Sequence, residues 1–332
     1  MRRLVALLSA CAVALLVPVP AGAAEPHCQP FQRSVPVLLG KALMSGTLCR
    51  PDFAHTVVVL IPGGTYNRAY WDFPHKPEVY SFRKALNAAG YATAVVDRLG
   101  AGESSRPLGS QVTTPIQASG VREIVRALRA AEIDGTAFDR VVLAGHALGA
   151  TIAISAADVA DALLVTGLAH QANTLAIAEF VAGLVPAAKD AVLGPRGYDP
   201  TYLTTKPGAR GQLFHEPGAV DPEVVKLEET TKDVVLPTEA VDAVGLAIVG
   251  PLSAQVKVPV LTALGGSDKF MCGVNCLALA AAEKPFYPAA PCVEGYVLPG
   301  AGHAMALSPK APEFQRAATA WLGRVVAGPV KC

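Results

Sequence analysis

Residues 143–151 read Leu-Ala-Gly-His-Ala-Leu-Gly-Ala-Thr, where an apolar run, "RVVLAGH" (140–146), gives way to a helical stretch of small residues. A strand that turns directly into a helix needs small residues, because the helix crosses close to neighbouring backbone. Gly145 and Gly149 meet that need and leave residue 147 raised at the edge of a sheet. In the G-x-S-x-G form of this turn the raised residue is a nucleophilic serine. This chain carries Ala147, which has no nucleophile, acid or base.

On both sides of the turn, short apolar runs alternate with helical stretches. Upstream lie "HTVVVLIPGG" (55–64), a strand entering a Gly-rich turn, the helix "SFRKALNAAG" (81–90) ended by Gly90, and the strand and loop "YATAVVDRLGAGES" (91–104). A helix through "ASGVREIVRALRAAEI" (118–133) precedes the 140–146 strand, and "ALLVTGLAH" (162–170) follows it. The alternation lapses over 171–252 and resumes with "VPVLTALGGSD" (258–268), a helix near 273–283, "EGYVLPGAGH" (294–303) and a closing helix at 311–326. Near-continuous apolar strands separated by helices predict an α/β fold, a mostly parallel sheet flanked by helices on both faces. The 171–252 insertion reads as a helical cap over the strand ends, where such folds bind ligands. The expected organisation is one domain, 25–332, carrying that cap.

Chemistry-bearing residues fall at matching places. Asp268 in "GGSDKF" follows one late strand, and His303 in "PGAGHAMAL" follows the next. "IPGGTYNRAYWDFP" (61–74) and "DRLGAGES" (97–104) sit after the two early strands. Taken together and in this order, these motifs resemble the α/β-hydrolase superfamily over nearly all of the chain beyond its first two dozen residues. The resemblance implies a secreted esterase- or lipase-like member with a catalytic site at Ala147 (the nucleophile position), Asp268 and His303. It also implies an oxyanion hole formed by the backbone N–H groups of Leu148 and Gly64. The superfamily often has His before the Gly-rich turn; here that residue is Pro62.

Other readings accompany this one. Asp268 also suits the cap of the following helix, with Asp97 as a spare carboxylate. Asp97 itself reads as a structural hydrogen-bonder holding the 98–104 turn. His146 reads as a packing residue. Tyr70, Trp71 and Phe73 either line a pocket or pack beneath the loop, and Ser81 reads as a helix N-cap.

An alanine at the apex forbids an acyl-enzyme. Loss of a triad serine costs on the order of a million-fold in kcat. No second G-x-S-x-G occurs, and neither Asp nor Cys stands at position 147, so the superfamily variants that use those nucleophiles are excluded as well. Three functions fit: ester- or lactone-hydrolysing ancestry with the serine replaced, a non-hydrolytic enzyme that uses the His303–Asp268 dyad as base, or a ligand-binding protein without turnover. The apolar "LAIAEFVAGLV" (175–185) in the cap points to a moderately hydrophobic ester or lactone.

The remaining features bound the setting. Of 332 residues, 28 are Lys or Arg and 27 Asp or Glu, so no basic field nominates a nucleic acid. A small-molecule substrate or ligand is the expected partner; no cofactor and no metal are expected. Residues 1–24 read as a signal peptide: Arg2-Arg3, an apolar run from Leu4 to Val17, then small residues toward a cleavage site near Ala23 or Ala24. Export is therefore expected, without stable membrane insertion after cleavage. Lipoprotein anchoring at Cys11 is not, because apolar residues continue beyond it. Removal of that segment leaves Cys28, Cys49, Cys272, Cys276, Cys292 and Cys332, an even set that in an exported chain reads as disulfides. Cys28 with Cys49 would staple the N-terminal segment, and a bond is expected within the 272–292 group.

Overall fold

The computed structural model describes residues 26–250, 252–272 and 276–328. The segment read as a signal peptide, Cys11 and Cys332 lie outside the described residues. An eight-stranded sheet forms the centre: β1 (His27–Val37), β2 (Gly40–Arg50), β3 (Thr56–Ile61), β4 (Ala92–Val96), β5 (Arg140–His146), β6 (Ala162–Thr166), β7 (Val260–Gly265) and β8 (Val293–Leu298). Their spatial order is β1-β2-β4-β3-β5-β6-β7-β8. β1 pairs antiparallel with β2, and β2 with β4. The other neighbours run parallel.

Every residue of β4, β6 and β7 is buried, as a parallel sheet covered on both faces requires. Successive residues of β3 serve opposite faces. Val57, Val59 and Ile61 join the core beneath α2 (Thr114–Arg129) and α3 (Leu148–Ser155). Val58 and Leu60 join the one beneath α1 (Phe82–Ala88) and the closing helix Ala311–Val326. Ser81 caps α1, accepting from Lys84 N at 3.0 Å, as read from the sequence.

The N-terminal hairpin was not legible. β1 carries Pro30 and Pro36, residues that argue against a strand, but it lies at the edge of the sheet, where a missing donor costs least. Cys28 sits directly opposite Cys49 and is bonded to it, and Cys272 is bonded to Cys276.

The connection from β6 to β7, 167–259, holds α4 (Thr174–Ala182), α5 (Arg210–Phe214), α6 (Pro222–Thr231) and α7 (Pro237–Val244), with a two-residue ribbon pairing Val185–Pro186 with Leu203–Thr204. Buried polar contacts fasten it to the sheet's loops. Arg98 and Glu239, each 1% exposed, pair at 2.7 Å. Arg98 Nη2 also donates to Val234 O at 2.7 Å, and Gln117 Nε2 donates to Glu239 at 2.8 Å. These contacts set α7 across the strand ends. Helix α8 (Cys276–Ala282) follows β7, and the closing helix is α9 (Ala311–Val326).

Candidate functional site

Ala147 has φ 50° and ψ −114°, a conformation that residues with a Cβ rarely adopt. The surroundings impose it. A Cβ on Gly145 would lie 2.2 Å from Gly149 O, and one on Gly149 would lie 2.3 Å from Ile61 O. The turn is therefore as tight as backbone permits, and residue 147 is pushed above it. Ala147 N donates to Thr166 O at 2.8 Å, while Ala147 O accepts from Ala150 N at 2.9 Å, so both ends of the residue are fixed.

His303 Nδ1 stands 2.8 Å from Asp268 Oδ2; Asp268 is fully buried and His303 is 7% exposed. The other oxygen of Asp268 accepts from Phe270 N at 3.0 Å and Met271 N at 3.2 Å. One oxygen of the carboxylate thus faces His303, while the other holds the 269–272 turn rather than capping the following helix, which begins at Cys276. Asp97 is engaged elsewhere, with Arg68 N and Nε at 2.8 Å each and Glu103 N at 3.0 Å. Burial pushes its carboxyl above the usual range, and Arg68 and the N–H donors pull it back.

Aromatic rings fix the imidazole of His303. Phe270 meets it edge-on at 4.9 Å, and the His146 ring lies 4.7 Å away. His146 stacks on Tyr70 at 4.3 Å. Burial, and secondarily the nearby His303, hold its pKa well below the ordinary value, so it stays neutral near pH 7. His146 therefore packs, as expected, but it also borders the site. Gly167 makes this approach possible: a Cβ there would lie 2.7 Å from His146 Cε1 and 3.2 Å from His303 Cε1. Trp71, Tyr70 and Phe73 are buried behind this layer, which assigns them to packing.

A cavity of about 120 Å³ joins Gly63, Gly64, Ala147, Leu148 and His303 on the sheet side to Ile177, Phe180, Phe214, Val235 and Val244 from the connection. Leu148 N belongs to the first turn of α3, whose N–H groups have no acceptor within the helix. The Gly63-Gly64-Thr65 turn packs against it; a Cβ on Gly63 would sit 3.4 Å from the Ala147 methyl. Thr65 anchors that turn, donating to Val234 O at 3.1 Å and accepting from Asp233 N at 2.9 Å. All five residues singled out in sequence, Gly64, Ala147, Leu148, Asp268 and His303, are thereby brought to one place.

Sequence reasoning missed the layer behind the Gly-rich turn. Tyr66, which lines the cavity, donates to Glu228 at 2.6 Å; Glu228 also meets His215, and the Arg210 guanidinium lies 4.2 Å over the Tyr66 ring. Tyr66 stands in the 61–74 stretch, but Arg210, His215 and Glu228 belong to no motif, and they lie 144 residues or more from Tyr66, which hides the pairing. Burial, and next the neighbouring Glu228, push the Tyr66 hydroxyl well above its ordinary value. A second missed cluster joins His170 Nδ1 to Glu283 Oε2 and His170 Nε2 to Ser253 Oγ, each at 2.7 Å. Among the described residues, no group of three or more His, Cys, Asp or Glu is placed to hold a metal ion.

A family model described as "Alpha/beta hydrolase family" matches residues 58–313. No curated protein sequence matches. Among solved structures, a thermophilic esterase from Thermogutta terrifontis superposes with a TM-score of 0.60 at 18% identity, covering 90% of this chain and 99% of its own. An esterase from Exiguobacterium antarcticum gives 0.60 at 16%, covering 88% and 99%. The enol-lactonase from Burkholderia xenovorans LB400 gives 0.59 at 15%, covering 87% and 99%. At such identities the likeness concerns the fold.

Proposed function

The chain belongs to the α/β-hydrolase family, and from that premise we propose that its site recognises the carbonyl of a moderately hydrophobic ester or lactone without forming an acyl-enzyme. The observation that carries this reading is the His303–Asp268 pair at 2.8 Å, opening on the same apolar cavity as the raised Ala147. Ala147 presents a methyl group where acyl transfer needs a hydroxyl. The carbonyl oxygen would lie between the N–H groups of Leu148 and Gly64, the first aided by the positive end of α3.

The esterase ancestry implied by this arrangement defines a chemical test. With serine at position 147, the hydroxyl attacks the carbonyl carbon, and His303 takes its proton while Asp268 holds the imidazole in orientation. The Leu148 and Gly64 N–H groups stabilise the oxyanion. Ala147 and Ala147→Ser chains are assayed on short and medium acyl esters. Hydrolysis by the serine form alone supports the reading; inactivity of both forms refutes it.

A second reading has its own support in the intact dyad, since a base needs only a positioned imidazole near a substrate proton. Turnover by the Ala147 chain that is abolished by His303→Ala would favour it. Export is part of the proposal, supported by the Arg2-Arg3 and apolar pattern of residues 1–24 and by the Cys28–Cys49 and Cys272–Cys276 bonds.

A further inference from the structure

Helix α4 is apolar at every position but Thr174 and Glu179, yet none of its residues is buried, and Leu175 is 76% exposed. Across from it, Val241 of α7 is 71% exposed. Between the two helices runs an open trough of about 700 Å³, walled by residues such as Ala178, Pro237 and Val241, with Thr174 its single polar wall residue. Ile177, Val181, Ala240 and Val244 line both this trough and the cavity at His303. The same four residues thus border the reacting position on one flank and the trough on the other.

We propose that the α4–α7 trough binds the linear alkyl chain of an acyl ester whose carbonyl end lies at Ala147 and His303. The assignment of the carbonyl end rests on the ester reading above. The shared wall sets the trough and the site cavity side by side, so a molecule with its carbonyl at Ala147 need only pass the row of Ile177, Val181, Ala240 and Val244 to lay its chain in the trough. Walls without charge exclude a sugar or an ionic group, which would lose its hydration there with nothing to replace it. The walls are helices of nine and eight residues, about 12–14 Å long. An extended chain of about ten carbons spans that length.

The test uses the Ala147 chain, in which no acyl-enzyme forms. Methyl esters from acetate to dodecanoate, each below its solubility limit, are titrated by calorimetry, with n-alkanols of matching length as a parallel series. The expected result is a Kd that falls about three- to fourfold per added methylene and continues to fall past butyrate to dodecanoate. Ala178→Asp and Val241→Asp, both at exposed positions, are expected to remove the slope beyond butyrate. Short esters that bind while longer ones bind no tighter would overturn the trough and leave the carbonyl reading standing. Alkanols that match the esters at every length would support the trough and overturn the carbonyl reading. Failure of every ester and alkanol to bind would overturn both.

Discussion

Nδ1 of His303 lies 2.8 Å from Oδ2 of Asp268, and the two residues are delivered by successive strands, β8 and β7. The carboxylate is fully buried and its other oxygen is held by two backbone N–H groups. An acid so fixed can orient only one imidazole. In an Ala147→Ser chain, Asp268→Asn is expected to lower kcat by about four orders of magnitude, because the amide favours the wrong tautomer while leaving the packing in place. Steady-state kinetics on a short ester check this; a loss below tenfold would remove Asp268 from the orienting role.

Ala147 retains strained backbone without a nucleophile to present. A non-glycine residue held in a rarely populated region costs about 1–3 kcal/mol, and glycine gives back roughly 0.5–1 of that in lost freedom on folding. Ala147→Gly should therefore stabilise the chain by about 1 kcal/mol and raise Tm by about 2–4 °C. Scanning calorimetry decides the matter, and a lowered Tm would show that the turn does not carry this strain.

What could be read from sequence was what lies close along the chain. The elbow was legible because Gly145, Gly149 and an apolar strand fall within ten residues, and Asp268 and His303 because each follows a strong apolar strand. β1 was not, because Pro30 and Pro36 obscure it and only its place at the sheet's edge reconciles them with a strand. Nor was the union of Tyr66 with Glu228 and Arg210, since buried polar pairing across the fold leaves no periodic trace. Helix α7 was hidden for a similar reason: Glu239, a charged residue in a short helix, is buried by its pairing with Arg98.

That last pair has a measurable cost of removal. Glu239 is the carboxylate partner of Arg98 in a dry setting, where Gln117 completes the network. Glu239→Ala leaves a buried guanidinium uncompensated and is expected to destabilise by about 3–5 kcal/mol. Urea denaturation measures it. A change below about 1 kcal/mol would mean that the pair contributes little to holding α7.

His146 makes stability depend on pH. Its folded-state pKa is depressed well below 6.5 by burial and by His303. Between the unfolded and folded values the unfolded chain binds the proton and the folded chain does not, so ∂ΔG/∂pH is positive. The contribution is full above about pH 6.5 and is lost as pH falls through the window below it. His146→Gln is expected to reduce the slope of stability between pH 7 and pH 5, by up to about 1.4 kcal/mol per pH unit. Denaturation curves at the two pH values, with and without the substitution, check it.

Ser253, His170 and Glu283 reproduce the hydrogen-bond order of a serine triad, with contacts of 2.7 Å on both ring nitrogens of His170, the same order of groups that a serine at position 147 would complete with His303 and Asp268. The two settings differ. His303 lines the cavity beside Ala147, whereas His170 is stacked against Phe286 at 4.2 Å and edge-on to Tyr287, with Ser253 and Glu283 each 1% exposed. A hydroxyl that no carbonyl can approach is a structural donor whatever its partners. A fluorophosphonate probe is therefore expected to leave the Ala147 chain unlabelled and to label the Ala147→Ser chain, with Ser253→Ala changing neither result. Ser253→Ala should instead lower stability by about 1–3 kcal/mol, the cost of leaving the buried His170 Nε2 without its partner. Labelling of the Ala147 chain that disappears with Ser253→Ala would reverse the assignment and make Ser253 the reactive group.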